Sequence, residues 1–202
     1  MLLTRRELPI LIVNLIHIPI FTAVSLKQLN FEFVMYVGVI LVVGALILWK
    51  QRGVHFNLPI LWGLTIWGFL HLSGGNIRVG EGVLYGLELI RIAPAYHILR
   101  YDHAIHMFGF GVATLVCHHL LKPYLREGIE RWVLLSFMLV LMSSGFGAVN
   151  EILEFLAVVL VPETGVGGYT NTLLDLVFNL LGGVAAVAWL AWERRRELVR
   201  RS

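Results

Sequence analysis

Six apolar runs, at about 8–26, 33–49, 56–72, 103–121, 132–161 and 171–192, divide almost the whole chain. Each is near the ~20 residues a helix needs to cross a hydrocarbon core, and about twice the length of a barrel strand. Water is absent there, so every backbone N–H and C=O must be paired within the protein. Only helices and closed barrels satisfy that condition. Run length therefore selects helices: an all-α, polytopic membrane bundle with about six transmembrane helices. Charged residues make up 14% of the chain, against about 25% in soluble domains. With no internal repeat or soluble segment evident, residues 1–202 read as a single integral membrane domain.

The cationic residues set the expected orientation. Twelve of the 16 Lys and Arg fall in segments that share one side if the N-terminus is cytoplasmic; only Lys27, Arg78, Arg91 and Arg100 fall on the other. The positive-inside rule then places both termini in the cytoplasm. Five arginines close the chain after the last apolar run. They read as a topology anchor touching lipid headgroups, not as a nucleic-acid surface. Cys117 is the one cysteine, which excludes an internal disulfide and any Cys-based zinc spacing. The first run reads as a span because Asn14, His17 and Pro19 make a poor signal-peptide core.

Against this apolar background the last three runs carry ionisable groups. Such a group in a bilayer costs roughly 2.5–3.5 kcal/mol on insertion scales unless it is paired or faces a cavity. Asp102, His103 and His106 lie on one side of the fourth run by i,i+3 and i,i+4 spacing. Asn150, Glu151 and Glu154 do the same on the fifth, and Asn171, Asp175 and Asn179 step by four along the sixth. With both termini inside, these groups and His71 share the outer half of the membrane, so one site opening to the outside is expected. The candidate catalytic set is His71, Asp102, His103, His106, Glu151, Glu154, Asp175 and Asn179.

Three chemistries fit. His103, His106, Glu151, Glu154 and Asp175 offer imidazole and carboxylate ligands to a divalent metal, as facing helices do in di-metal bundles. The same groups can act as general acid and base, or form a proton or ion path. A hydrogen-bond network that merely fixes helix packing is the bland alternative. The inner halves of the last two runs are nearly all apolar, which favours an enzyme over a carrier. Two local features carry expectations of their own. The 73–101 connection is long and glycine-rich, and its mild amphipathicity around 84–92 predicts a short helix lying at the outer interface or dipping back as a lid, with a passive tether as the bland alternative. Ser143–Gly147 offers a place for a kink or break in the long fifth run, although close packing by small residues explains the same glycines. Outside the cluster, His118 and His119 read as caps on the end of their own helix, and His17 as an interhelical hydrogen-bond donor.

The strings His71-Leu72-Ser73-Gly74-Gly75, Arg100-Tyr101-Asp102-His103-Ala104-Ile105-His106, Asn150-Glu151-Ile152-Leu153-Glu154-Phe155 and Asn171-Thr172-Leu173-Leu174-Asp175, continuing to Gly182, occur in that order. In this order they resemble the YjdF-like membrane proteins and, more distantly, the VanZ-like proteins. The resemblance spans about residues 71–192. It departs at Asn171, where the YjdF-like pattern often opens its last helix with an acid. What it implies is a largely uncharacterised multi-pass protein of a prokaryotic plasma membrane with a cell-envelope role. The expected partners are membrane lipids, with a lipid-linked substrate under the enzyme reading; the cofactor stays open, a divalent metal being what the first of the three chemistries would need.

Overall fold

The computed structural model describes residues 4–92, 96–125, 131–160 and 167–201. Six helices account for most of them: α1 (Leu8–Lys27), α2 (Phe31–Val54), α3 (Leu58–Asn76), α4 (Tyr101–Leu121), α5 (Trp132–Leu160) and α6 (Tyr169–Arg201). All but α3 are long and apolar enough to cross a membrane by length and composition. Each apolar run coincides with one helix. The largest departure is at α6, which continues past the apolar run through the arginines. Large apolar side chains such as Leu15, Trp49, Phe155 and Val184 are exposed on the bundle's outside, as suits a surface facing lipid.

Helix starts follow from local chemistry. Asn57 caps α3, its Oδ1 accepting from the Ile60 N–H at 3.0 Å, with Pro59 in the first turn where no N–H is needed. Arg100 N–H donates to His103 Nδ1 at 3.1 Å, so a histidine in the first turn of α4 satisfies the residue before the helix. At the other end, His119 Nε2 pairs with the Val54 carbonyl at 3.1 Å and its ring stacks on Phe56. His119 therefore caps the end of α2, not of its own helix as expected, and His118 packs edge-on against Trp132. The interhelical hydrogen bond expected of His17 belongs instead to Asn14, which donates to Thr65 on α3 at 2.8 Å; His17 turns back to its own Val13 carbonyl.

The helices form two groups of three. α1, α2 and α3 pack on one another, α4, α5 and α6 do likewise, and α3 against α4 joins them. The most extensive contact is α4 with α6. It is made possible by glycine: a Cβ on Gly182 would lie 2.1 Å from the Met107 carbonyl oxygen, and one on Gly111 would lie 3.3 Å from the Gly182 carbonyl oxygen. Gly147 on α5 plays the same part beside Asn179, where a Cβ would come within 2.6 Å of the amide nitrogen. α5 is helical throughout, so the expected break at Ser143–Gly147 does not occur. Ser143 instead sends its hydroxyl to the Phe110 carbonyl on α4 at 2.8 Å, in line with the small-residue packing alternative.

The connection after α3 holds a two-stranded hairpin, β1 (Arg78–Val79) with β2 (Gly82–Val83), and a 3-10 turn at Leu84–Gly86. Gly80 opens its two-residue loop at φ 60°, a conformation glycine adopts without strain. No α-helix forms around 84–92. The described part of that stretch pairs back, with Glu88 bridging to Arg100 and Tyr101 N–H donating to the Leu87 carbonyl at 2.8 Å. Backbone pairing across the loop thus outcompetes a weak helical pattern.

Candidate functional site

α6 presents a buried stripe of Asp175, Phe178, Asn179, Gly182, Gly183 and Ala186 at helical spacing. Facing it, α4 buries His103, His106 and Phe110. The glycine contact one turn farther along fixes the register, so His106 meets Asn179 and His103 meets Asp175. α5 supplies Glu151 and Glu154 from its third face. Seven of the eight candidate residues thus converge: Asp102, His103, His106, Glu151, Glu154, Asp175 and Asn179.

His106 is the hub. Its Nδ1 pairs with Asn179 Oδ1 at 3.0 Å. An amide oxygen only accepts, so this bond places the ring hydrogen on Nδ1 and leaves a lone pair on Nε2. Around that nitrogen stand Asp102 Oδ1 at 3.5 Å, Glu154 Oε1 at 3.9 Å and Asp175 Oδ1 at 3.9 Å. Glu151 Oε1 lies 3.8 Å from Nδ1. Among the described residues none of these four carboxylates pairs with a Lys or Arg; their only ion-pair partners are His103 and His106.

Amides hold the acids in place. Asn171 Nδ2 donates to Asp175 Oδ2 at 2.6 Å and to Asp102 Oδ2 at 3.2 Å, while Asn150 Nδ2 donates to Glu154 Oε1 at 2.8 Å. The amide at 171, where the YjdF-like pattern often has an acid, therefore clamps two carboxylates. Asp175 Oδ1, Glu151 Oε2, His103 Nε2 and Asn179 Nδ2 are nevertheless buried without a hydrogen-bond partner, although buried polar atoms are normally satisfied.

Two overlapping trios, Asp102 with His106 and Asp175, and His106 with Glu151 and Glu154, each bring one ligand atom per residue within 4.8 Å of the others. Ions held at about 2.0–2.6 Å by oxygen and nitrogen set their ligands up to about 5 Å apart. The donor set suits a divalent cation of the magnesium, manganese or zinc kind. His103, expected as a ligand, stands outside both trios. Its Nδ1 is taken by the Arg100 N–H, its ring stacks on Phe178 at 5.0 Å, and Nε2 points to Asp175 Oδ1 at 3.8 Å. In this position it faces Asp175, a member of the first trio, from the side.

His71 is the eighth candidate and lies apart from the cluster. Its Nδ1 pairs with the Tyr85 hydroxyl, and Phe33, Tyr36 and Trp67 surround the ring. It belongs to the wall of a cavity of about 940 Å³ between the two helix groups, whose lining includes Glu32, Tyr36, His71, Tyr85, Arg100 and Glu154. Asp102 and Asn171 bring the cavity to the acid cluster, and the exposed Gly82, Arg91 and His97 bring it to solvent at the loop end. Sequence reasoning missed Glu32, which is 5% exposed although it stands only one residue outside the second apolar run. An acid at the edge of such a run was the available signal. Tyr85 was missed as well. Burial and the nearby acids Asp102 and Glu154 push its phenol well above its ordinary pKa, so it serves as a hydroxyl donor.

The sequence matches the family described as Predicted membrane protein (DUF2238) over residues 8–196. The chain belongs to that family. The matched region takes in α1 to α5, all but the last five residues of α6, and all the clustered residues. The DUF2238 assignment agrees with the YjdF-like resemblance and with a multi-pass membrane protein. No match was found among curated proteins or among solved structures.

Proposed function

We propose that this DUF2238 protein is a divalent-cation-dependent intramembrane enzyme acting on a lipid or cell-envelope substrate. The observation that carries the reading is the Nε2 lone pair of His106, fixed by Asn179 and facing oxygens of Asp102, Glu154 and Asp175. Four acids around one imidazole repel each other strongly in a medium of low dielectric, and a divalent cation offsets that charge. Asp102, His106 and Asp175 would hold the cation, with Glu151 and Glu154 extending the group; it would supply Lewis-acid polarisation of an ester or phosphoryl oxygen and an activated water. Asn150, Asn171 and His103 keep the carboxylates aimed.

An enzyme is favoured over a carrier by what lies beneath the site. Thr114 and Ser143 both donate to the Phe110 carbonyl, and Cys117, Leu139 and Leu190 pack with Leu135 and Val187 into an apolar floor. A carrier needs polar groups that continue through this level. The cavity instead leads to the loop end, which on the positive-inside reading of the Lys and Arg residues is the extracytoplasmic side.

Elemental analysis of purified protein, washed with chelator and resupplied with divalent metals, tests the reading. The expected result is a stoichiometric metal that is absent from a Glu154→Ala/His106→Ala double variant. Protein that takes up no divalent metal under any supply would overturn the proposal.

A further inference from the structure

The cavity has a cationic wall facing an acidic floor, and among the described residues that cation, Arg100, has no ion-pair partner. Arg100 lines the cavity, yet its buried Nε has no hydrogen-bond partner and its guanidinium makes no ion pair among the described residues. The exposed Arg91 differs, being engaged with Glu88 at 2.7 Å. The backbone goes to some expense to hold Arg100 where it is. His97 and Leu99 both sit at left-handed φ, 50° and 66°, and the bridge from Glu88 to Arg100 together with the Leu89 N–H bond to the Leu99 carbonyl at 3.0 Å locks the segment. Non-glycine residues held in that region are strained and gather at ligand-holding segments.

A second observation concerns the cavity's flank. Glu32 and Tyr36 of α2 line it from one side and Glu154 of α5 from the other, but α2 and α5 share no extended packing contact. Among the described residues these two helices thus do not pack extensively on one another. Leu41 and Val42 of α2 and Phe155 and Val159 of α5 are exposed and apolar, as suits surfaces that meet lipid on this flank.

We infer that the cavity takes the anionic headgroup of a phosphate-bearing lipid, with the phosphate on Arg100 and the acyl chains leaving between α2 and α5. A planar guanidinium with free N–H groups matches two phosphate oxygens at once. A cavity of about 940 Å³ holds a headgroup and the first carbons of its chains. The inference rests on the metal reading for its full affinity, since four bare carboxylates on the floor would weaken the hold of Arg100 on a phosphate without removing it.

Isothermal titration calorimetry on the full chain in neutral detergent tests it, with dihexanoyl phosphatidic acid, dihexanoyl phosphatidylcholine and inorganic phosphate as probes. Wild-type protein supplied with manganese should bind the phosphatidic acid at least about tenfold more tightly than either other probe, and Arg100→Gln should remove about tenfold of that affinity, the size of one charge-assisted contact. Arg91→Gln should change it less than about threefold, as expected of an exposed pair. Should Arg100→Gln fail to fold, Arg100→Lys keeps the charge and loses the fork, and it should bind more weakly than wild type.

Equal binding of the two lipids, or no response to the Arg100 variants, overturns the inference. Phosphatidic acid binding no better than inorganic phosphate overturns the lipid part of it. The same titrations in chelator separate this inference from the metal reading. An Arg100-dependent preference for phosphatidic acid in protein that binds no metal supports the anion site and sinks the metal proposal; metal uptake without any Arg100-dependent preference does the reverse.

Discussion

His106 on α4 and Asn179 on α6 are joined through Nδ1 and Oδ1 at 3.0 Å, and this bond decides which face of the imidazole is free to bind. Both side chains are almost wholly buried, so no solvent competes for the amide. The contact depends on the backbone approach at Gly182, one turn beyond Asn179.

Replacing Asn179 with Leu should free the ring to adopt the wrong tautomer. Metal affinity is then expected to fall about 10–100-fold, the usual cost of losing an outer-shell partner. Competition against a chromogenic chelator measures this directly. An unchanged affinity would show that Asn179 does not set the tautomer.

Asp175→Asn separates binding from folding. Asp175 is fully buried among three other acids, and one of its oxygens has no hydrogen-bond partner. In chelator the variant should be more stable than wild type by about 1–4 kcal/mol, because a costly buried charge is gone. With metal supplied the order should reverse, since the variant gains nothing by binding. Thermal unfolding in detergent, with and without manganese, reads both arms; lower stability than wild type in chelator would count against a repulsive cluster.

Two glycines in the helices give contrasting expectations. Gly182→Ala puts a methyl 2.1 Å from the Met107 carbonyl oxygen, and forcing α4 from α6 should cost about 1–3 kcal/mol or more. Metal uptake should drop with it. At Gly145 nothing lies within 4 Å of the added carbon, so Ala should be neutral or stabilise by about 0.5–1 kcal/mol. Equal effects at the two positions would mean that the α4–α6 contact does not govern the site.

The loop carries a pH dependence outside the membrane. Hydrogen bonds from His97 and then Arg91 hold the Glu88 carboxyl below its ordinary pKa. A depressed folded-state pKa stabilises the folded loop above the ordinary carboxylate pKa and loses that support as pH falls through the lowered value. Hydrogen exchange of the amides around 87–92 and 97–101 should therefore quicken only on acidification below the usual carboxylate range. Glu88→Gln should remove the pH response. Persistence of the response in that variant would assign it to another group.

The helices were legible because the bilayer leaves a chain so few options: length and apolarity sufficed to place six of them. Convergence of the polar groups was legible from i,i+3 and i,i+4 spacing combined with alternating direction. The order within the cluster was not. His103 and His106 look equivalent in sequence, and only the start of α4 at Tyr101 gives His103 Nδ1 to the Arg100 backbone. Asn171 looked like a missing acid, yet its two donated hydrogen bonds organise Asp102 and Asp175. The 73–101 loop misled because its folding rests on pairing between residues such as Glu88 and Arg100, which periodicity does not encode.

The division of the bundle into α1–α3 and α4–α6 separates two jobs in the gene. Every residue of the two ligand trios is encoded after position 100, whereas Glu32, Tyr36, His71 and Tyr85, which shape what the cavity admits, are encoded before it. On the proposed reading, mutations in the first half would retune which molecules are accepted and leave the metal-holding residues intact. A chimera joining the N-terminal half of one family member to the C-terminal half of another would then inherit its appetite from the first parent and its chemistry from the second.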